Sequence, residues 1–203
     1  LYKEMRSRIQ ERDQDVPVRI GEYYYYSRTR AGKQYSVFCR KHATLDAKEE
    51  VLLDQDRMAQ AHDYFNVGLL RISPDHRYLA YTVDTKGDER HTLYVRDLDT
   101  GKDLPDTIAN VDSVAWANDS QTLFYVILDE MHRPYQLYRH HLGDAVEEAT
   151  LVYHEKDDAF FAGISHSRSR AYLFLNLEAK ITSEVRVLLS LIHISEPTRR
   201  ITI

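Results

Sequence analysis

Three stretches of this 203-residue chain restate one another at a nearly fixed interval, and that interval limits the fold more than any other feature. Ser73-Pro74-Asp75 reads as a turn, residues 78–83 as a strand, 92–98 as a second strand, and Asp99-Thr100-Gly101 as the turn that ends it. After 44 residues the pattern returns: Ala117-Asn118-Asp119, a strand over 122–126, and a strand over 135–142 ended by Gly143, with Leu93 falling on Leu137 and Tyr94 on Tyr138. After a further 48 or 49 residues come Ser167-Arg168, a strand over 171–175 and another over 183–188. A strand precedes each unit (66–72, 113–116, 161–164), and a short β segment follows the first two (104–109, 150–153). Four strands in about 45 residues is the length of a propeller blade. One such sheet cannot bury both faces alone, whereas stacking blades around an axis buries them and leaves only short edges. A β-sandwich is the competing architecture, but it gives no reason for a steady period.

Upstream the period changes. Leu1, Met5 and Ile9 recur every four residues among Lys3, Glu4, Arg6 and Arg8, so the first dozen residues read as a helix, stopped by Pro17 and Gly21. Tyr23-Tyr24-Tyr25-Tyr26-Ser27, a turn at Arg30-Ala31-Gly32-Lys33, and a strand over 34–39 form a hairpin signal. A short helical turn fits residues 54–61, with Asp54 as its cap. The expected fold is therefore all-β: a partial β-propeller of about four blades of four antiparallel strands, with a short N-terminal helix. The expected divisions are a helical arm over 1–20, an incomplete propeller over 21–188, and a non-native tail over 189–203.

Composition narrows the partners. A net charge of -5 leaves no basic footprint for nucleic acid. No apolar run approaches the ~20 residues needed to cross a bilayer, and the charged opening residues do not read as a signal peptide. The 15 tyrosines suit strands, where the ring packs on the pleated face and the hydroxyl reaches water. The single cysteine, Cys39, allows no internal disulfide and points to a reducing, cytoplasmic setting. Its place in Ser36-Val37-Phe38-Cys39 makes it a strand residue rather than a reactive thiol. The chain begins without Met and reads as a piece of something longer.

Catalytic patterns are weak. Gly163-Ile164-Ser165-His166-Ser167 has the first half of a Gly-x-Ser-x-Gly elbow, but Ser167 replaces the second glycine and a strand follows where a helix should. His140 and His141 are adjacent, so on a strand they point to opposite faces and do not share a metal. His62-Asp63 has the form of a base with its orienting carboxylate, against the simpler reading of a loop entering a blade. Glu49-Glu50, Asp84 with Asp88-Glu89, and Asp157-Asp158 fit either solvated turns or the lining of a channel that attracts cationic peptides. Neither a Gly-rich phosphate loop nor a zinc-ligand spacing is present. No catalytic, cofactor-binding or metal residue is assigned, and no cofactor is implied.

The units resemble the prolyl oligopeptidase family, oligopeptidase B in particular. The resemblance runs over residues 1–188 and rests on an ordered set. It begins with Gly21-Glu22-Tyr23-Tyr24-Tyr25-Tyr26-Ser27-Arg28, Gly32-Lys33-Gln34-Tyr35, Glu49-Glu50-Val51-Leu52-Leu53-Asp54 and His62-Asp63-Tyr64-Phe65. It continues through Ser73-Pro74-Asp75, Leu79-Ala80-Tyr81-Thr82-Val83-Asp84, Arg133-Pro134-Tyr135-Gln136-Leu137-Tyr138-Arg139-His140 and Thr182-Ser183-Glu184-Val185-Arg186. Ser-Pro-Asp alone is common in propellers; the ordered set is specific. The resemblance implies an N-terminal seven-bladed propeller that gates a C-terminal α/β-hydrolase domain, where the Ser, Asp and His of the triad lie. It implies cleavage of short peptides, after Lys or Arg in oligopeptidase B-like members, with the residues that select the basic side chain mainly outside this region. Residues 1–12 would resemble the family's N-terminal arm along the hydrolase domain. Seven blades at this period need about 315 residues, so the four expected here leave the ring open.

The expected function is thus the gating propeller of a serine oligopeptidase, inactive by itself, with short peptides and the hydrolase domain as partners and neither nucleic acid nor membrane. The alternative is a non-catalytic propeller that binds a protein or peptide, although the Gly-His and Trp-Asp pairs of WD repeats are missing and Trp116 is the only tryptophan. A glycan or small-ligand propeller enzyme would need inward acidic pairs on the first strands, where only Asp112 is at hand. Past Leu188 the blade pattern stops, and Leu189-Ser190-Leu191-Ile192-His193-Ile194-Ser195-Glu196-Pro197-Thr198-Arg199 resembles translated sequencing-adapter read-through.

Overall fold

The computed structural model describes residues 1–189 and 199–201. The chain divides into two compact units, Leu1–Asp63 and Tyr64–Ile203.

In the first unit, α1 (Tyr2–Ser7) precedes one antiparallel sheet, β1 (Val18–Ile20), β2 (Tyr23–Arg28), β3 (Val37–His42) and β4 (Glu50–Asp54), followed by α2 (Gln55–Ala59). The opening helix is shorter than its apolar spacing predicts. Leu1, Met5 and Ile9 are all exposed, so the stripe gains no burial to extend it. The chain then runs across the end of β2: Asp13 N donates to Thr29 Oγ1 at 2.9 Å and Asp15 N to the Ser27 carbonyl at 2.9 Å. Sheet structure consequently starts at Val18, inside the stretch expected to be a helical arm. β3 starts at Val37 rather than residue 34, because the Gln34 and Tyr35 amides donate to Asp56 Oδ1, each at 3.2 Å. Asp54 caps α2 as its position predicts, accepting from Arg57 N at 3.2 Å.

Among the described residues the second unit carries three further sheets. They are β5 (Asn66–Ile72), β6 (Tyr78–Asp84), β7 (Thr92–Asp97) and β8 (Lys102–Ile108); then β9 (Val111–Trp116), β10 (Thr122–Leu128), β11 (Pro134–His141) and β12 (Thr150–His154); then β13 (Phe161–His166), β14 (Tyr172–Glu178), β15 (Ser183–Leu189) and β16 (Arg199–Ile201). Each is a meander in which sequence neighbours pair antiparallel. Tyr81 lies opposite Tyr94 and Tyr125 opposite Tyr138, and both pairs stack with ring centroids 5.6 Å apart. Leu175 and Arg186 hold the matching places in the last sheet, whose central hairpin is two residues shorter.

The sheets stack face to face. Alternate residues of β10 point opposite ways. Leu123 and Tyr125 join Tyr78, Leu93, Val95 and Trp116 in one cluster, while Phe124 and Val126 join Leu173, Leu175 and Leu177 in another. The middle sheet is buried on both sides, which is why β10 reads as a continuous apolar run. First strands meet across the stack, β9 touching both β5 and β13. Consecutive meanders stacked through their first strands are propeller blades, not the two facing sheets of a sandwich. Fully burying a leucine such as Leu93 or Leu137 contributes about 1.5–3 kcal/mol.

The turns joining first and second strands repeat as closely as the strands. His76, Ser120 and Arg170 occupy the same turn position, each left-handed, with φ of 64°, 59° and 59°. Hydrogen bonds link one turn to the next: Asp75 N to Ser120 Oγ at 3.0 Å, and Asn118 Nδ2 to the Arg170 carbonyl at 2.9 Å. Of the expected non-native tail, Leu189 ends β15 and 199–201 form β16, while 190–198 and 202–203 lie outside the described residues.

Candidate functional site

Ser165 sits inside β13, and its Oγ accepts from Asn176 Nδ2 at 2.9 Å. A β carbon at Gly163 would meet nothing within 4 Å, so no strained turn calls for glycine there. The half-matching elbow is a strand followed by a blade turn, with Ser167 Oγ accepting the Tyr172 amide at 3.1 Å. His62 and Asp63 are exposed in the loop between α2 and β5. Cys39 is buried in β3, and burial pushes its thiol up to about 11.

His140 and His141 face opposite ways. His141 is exposed, with Nδ1 3.3 Å from Thr122 Oγ1. His140 is buried against the neighbouring blade, its Nε2 2.7 Å from Asp106 Oδ1 on β8. Asp106 Oδ1 also accepts the Gly143 amide at 2.9 Å. His140 Nδ1 and Asp106 Oδ2 are buried with no hydrogen-bond partner. Among the described residues no group of three or more His, Cys, Asp or Glu could hold a metal ion.

The acidic pairs divide by role. Glu49 takes a bidentate bond from Arg28 and one from Tyr26 Oη at 2.6 Å; the Arg28 guanidinium is the main cause that holds its carboxyl below the usual range, against burial. Glu50 pairs with Arg40 at 2.7 Å. Asp84, at the end of β6, is only 2% exposed. It accepts the amides of Lys86, Gly87 and Glu89 at 2.8, 2.9 and 3.0 Å. Burial would raise its carboxyl, but the three amides outweigh that and hold it low. Asp129, after β10, does the same for the next blade, accepting from Met131 N at 2.8 Å and Arg133 N at 2.9 Å. Asp157 Oδ1 accepts the Ala159 amide at 3.0 Å, and Asp158 is exposed.

Asp112 is the acid of β9; its residue surface is exposed, yet partial burial of the carboxyl raises it, with the Ser113 hydroxyl and His91 pulling the other way. Beside it β5 bulges at Gly68, where a β carbon would lie 2.8 Å from Thr82 Oγ1 and 2.9 Å from the His91 ring. That close approach explains the glycine. Loop-to-loop staples complete the arrangement. Arg90 Nη2 donates to the Asp129 and Glu130 carbonyls at 3.1 and 2.9 Å, and Arg133 Nη1 to that of Asp157 at 2.9 Å. Sequence reasoning missed these contacts because each joins residues a blade apart, and no local pattern marks the partner.

Stacked four-stranded meanders, stitched by turns and staples at repeating positions, define the class: β-propeller blades. The chain belongs to the prolyl oligopeptidase family; residues 1–192 match the family described as "Prolyl oligopeptidase, N-terminal beta-propeller domain". It is similar to "Protease 2" of Moraxella lacunata, 39% identical over 93% of this chain and 28% of that protein. It is also similar to "Dipeptidyl aminopeptidase BI" of Pseudoxanthomonas mexicana, 37% identical over 92% of this chain and 28% of that protein. Among solved structures, oligopeptidase B from Leishmania major superposes with a TM-score of 0.89 at 26% identity, over 98% of this chain and 30% of that one. Oligopeptidase B from Trypanosoma brucei, with covalently bound antipain, gives 0.88 over 98% and 29%. The chain thus spans about 28% of the length of these curated relatives.

Proposed function

We propose that this chain is the gating propeller of a serine oligopeptidase that cuts short peptides after Lys or Arg. In this reading the serine, histidine and aspartate of the triad stand on a separate hydrolase domain, and the chain contributes no catalytic group. The observation that carries it is the family match over residues 1–192, together with peptidase relatives more than three times as long. Stacked blades suit a filter, because a rigid wall excludes folded proteins while short peptides pass. The buried, unpaired Cys39 fits a cytoplasmic setting. The triad needs no cofactor.

The experiment is to express the coding sequence extended past this chain, and the chain alone, and offer both a short peptide with an internal arginine. Hydrolysis after arginine by the extended protein alone supports the reading; its absence in both sinks it. A second specificity has one observation behind it, the relative named dipeptidyl aminopeptidase BI. Release of dipeptides from the free amino end of the same peptide, without internal cuts, would replace the first.

A further inference from the structure

We propose that the carboxylates of Asp84 and Asp129 lock the hairpin loops of two successive blades against proteases that cut after Lys or Arg, and that the matching loop of the third blade lacks this lock. The loop after β6 is Thr85-Lys86-Gly87-Asp88-Glu89-Arg90-His91, with two cleavable bonds, after Lys86 and after Arg90. To be cut, a loop must lie extended in a protease cleft over several residues, which in a folded protein requires local opening. This loop is far from extended. Gly87 and Glu89 are left-handed, with φ of 78° and 61°. The Lys86, Gly87 and Glu89 amides all point at the one buried carboxylate of Asp84, and Arg90 N bonds Asp88 Oδ1 at 3.1 Å. Arg90 is itself stapled to the Asp129 and Glu130 carbonyls, and a β carbon at Gly87 would already touch the Tyr64 ring, 3.6 Å away. An extended loop would have to surrender all of these together.

Asp129 repeats the device one blade on. Its Oδ1 accepts the Met131 and Arg133 amides, its Oδ2 accepts Arg133 Nε at 3.1 Å, and His132 is left-handed with φ 61°. The bond after Arg133 also precedes Pro134, a second obstacle to cleavage. In the third blade β14 ends at Glu178, and the hairpin Ala179-Lys180-Ile181-Thr182 closes by one backbone bond, Ala179 N to the Thr182 carbonyl at 2.8 Å. Ile181 is 94% exposed, and among the described residues no carboxylate collects the amides of this hairpin. Lys180 is the unguarded basic residue of the set.

The lock stands whatever peptide bond the protein itself cuts, so trypsin is the probe. The chain is digested under native conditions and the cuts mapped against time by mass spectrometry. Cleavage after Lys180 should run at least about tenfold faster than after Lys86 or Arg90, a ratio that corresponds to ~1.4 kcal/mol of extra opening cost. In Asp84→Asn, which replaces one accepting oxygen by a donor, cutting after Lys86 should rise about tenfold with cutting after Lys180 unchanged. Equal rates at Lys86 and Lys180 in the unaltered chain would overturn the proposal. So would an Asp84→Asn variant that accelerates both cuts alike, since Asp84 would then support the sheet and not the loop. Hydrogen exchange of the Lys86, Gly87 and Glu89 amides gives a check without substitution: protection supports the lock, and free-peptide rates contradict it.

Discussion

His140 on β11 and Asp106 on β8 form a fully buried hydrogen-bonded pair, 2.7 Å apart, between two successive blades. The contact joins the third strand of one sheet to the outermost strand of the one before it. Removing one partner leaves the other buried without its hydrogen bond, at a cost of about 1–3 kcal/mol. His140→Ala and Asp106→Ala should each lower the urea midpoint accordingly. The double variant His140→Leu/Asp106→Leu should recover much of the loss, because two apolar groups leave no buried polar atom without its partner. Single variants within ~0.5 kcal/mol of the parent would show that the pair does not hold the seam.

Trp116, the sole tryptophan, donates Nε1–H to the Arg71 carbonyl at 2.9 Å, bridging β9 to β5. Trp116→Phe keeps a ring but leaves that carbonyl unmatched, for about 1–3 kcal/mol. Unfolding followed by tryptophan fluorescence should coincide with unfolding followed by circular dichroism, since the three stacked sheets share their cores. Two separated transitions would mean that the blades melt independently.

Acid should destabilise the protein with a definite sign. The carboxyl of Asp97 is held low chiefly by the Thr100 amide, against burial and aided by Arg77. In Asp84 and Asp129 burial pushes upward, but the Lys86, Gly87 and Glu89 amides, and Arg133 with Met131, outweigh it. A folded-state pKa below the unfolded one adds stability that is complete above the unfolded value, about 3.9 for Asp, and is lost as pH falls through the folded values. The melting temperature should therefore fall steeply below about pH 4. Asp84→Asn should flatten part of that slope, which a pH series of thermal melts reads directly.

Cys39 should be inert while the first sheet is folded. Its thiol, pushed up by burial to about 11, is protonated at pH 8, and its sulfur is fully covered. A disulfide-exchange reagent should label it only at the rate at which that sheet opens, and in urea at the rate of a free thiol. Fast labelling of the folded chain would contradict the packing of β3.

Much of the fold was legible because its signals are local and repeated. The β5 strand, the alignment of Leu93 and Tyr94 with Leu137 and Tyr138, and the Asp54 cap all follow from turn residues and period. Errors fell where a side chain from elsewhere took over backbone bonding. Asp56 holds Gln34 and Tyr35 out of β3, and the chain around Asp13 is tied to Thr29 instead of continuing α1. The acids showed the same limit. The sequence left Asp84 open between turn and channel lining, and only the folded loop shows three amides converging on it. Asp106 carried no signal at all, since its partner lies 34 positions on, in another blade.

The proposed function makes these blades the gate of a peptidase whose catalytic groups lie beyond them. It is tested most directly by measuring hydrolysis of a short arginine-containing peptide, and of a folded protein carrying the same sequence, by the coding sequence extended through the region corresponding to the rest of the relatives' length. The account predicts rapid cleavage after arginine in the peptide, little in the folded protein, and none by the present chain alone. Equal cleavage of both substrates would contradict the gate, and cleavage by the chain alone would contradict the placement of the catalytic groups.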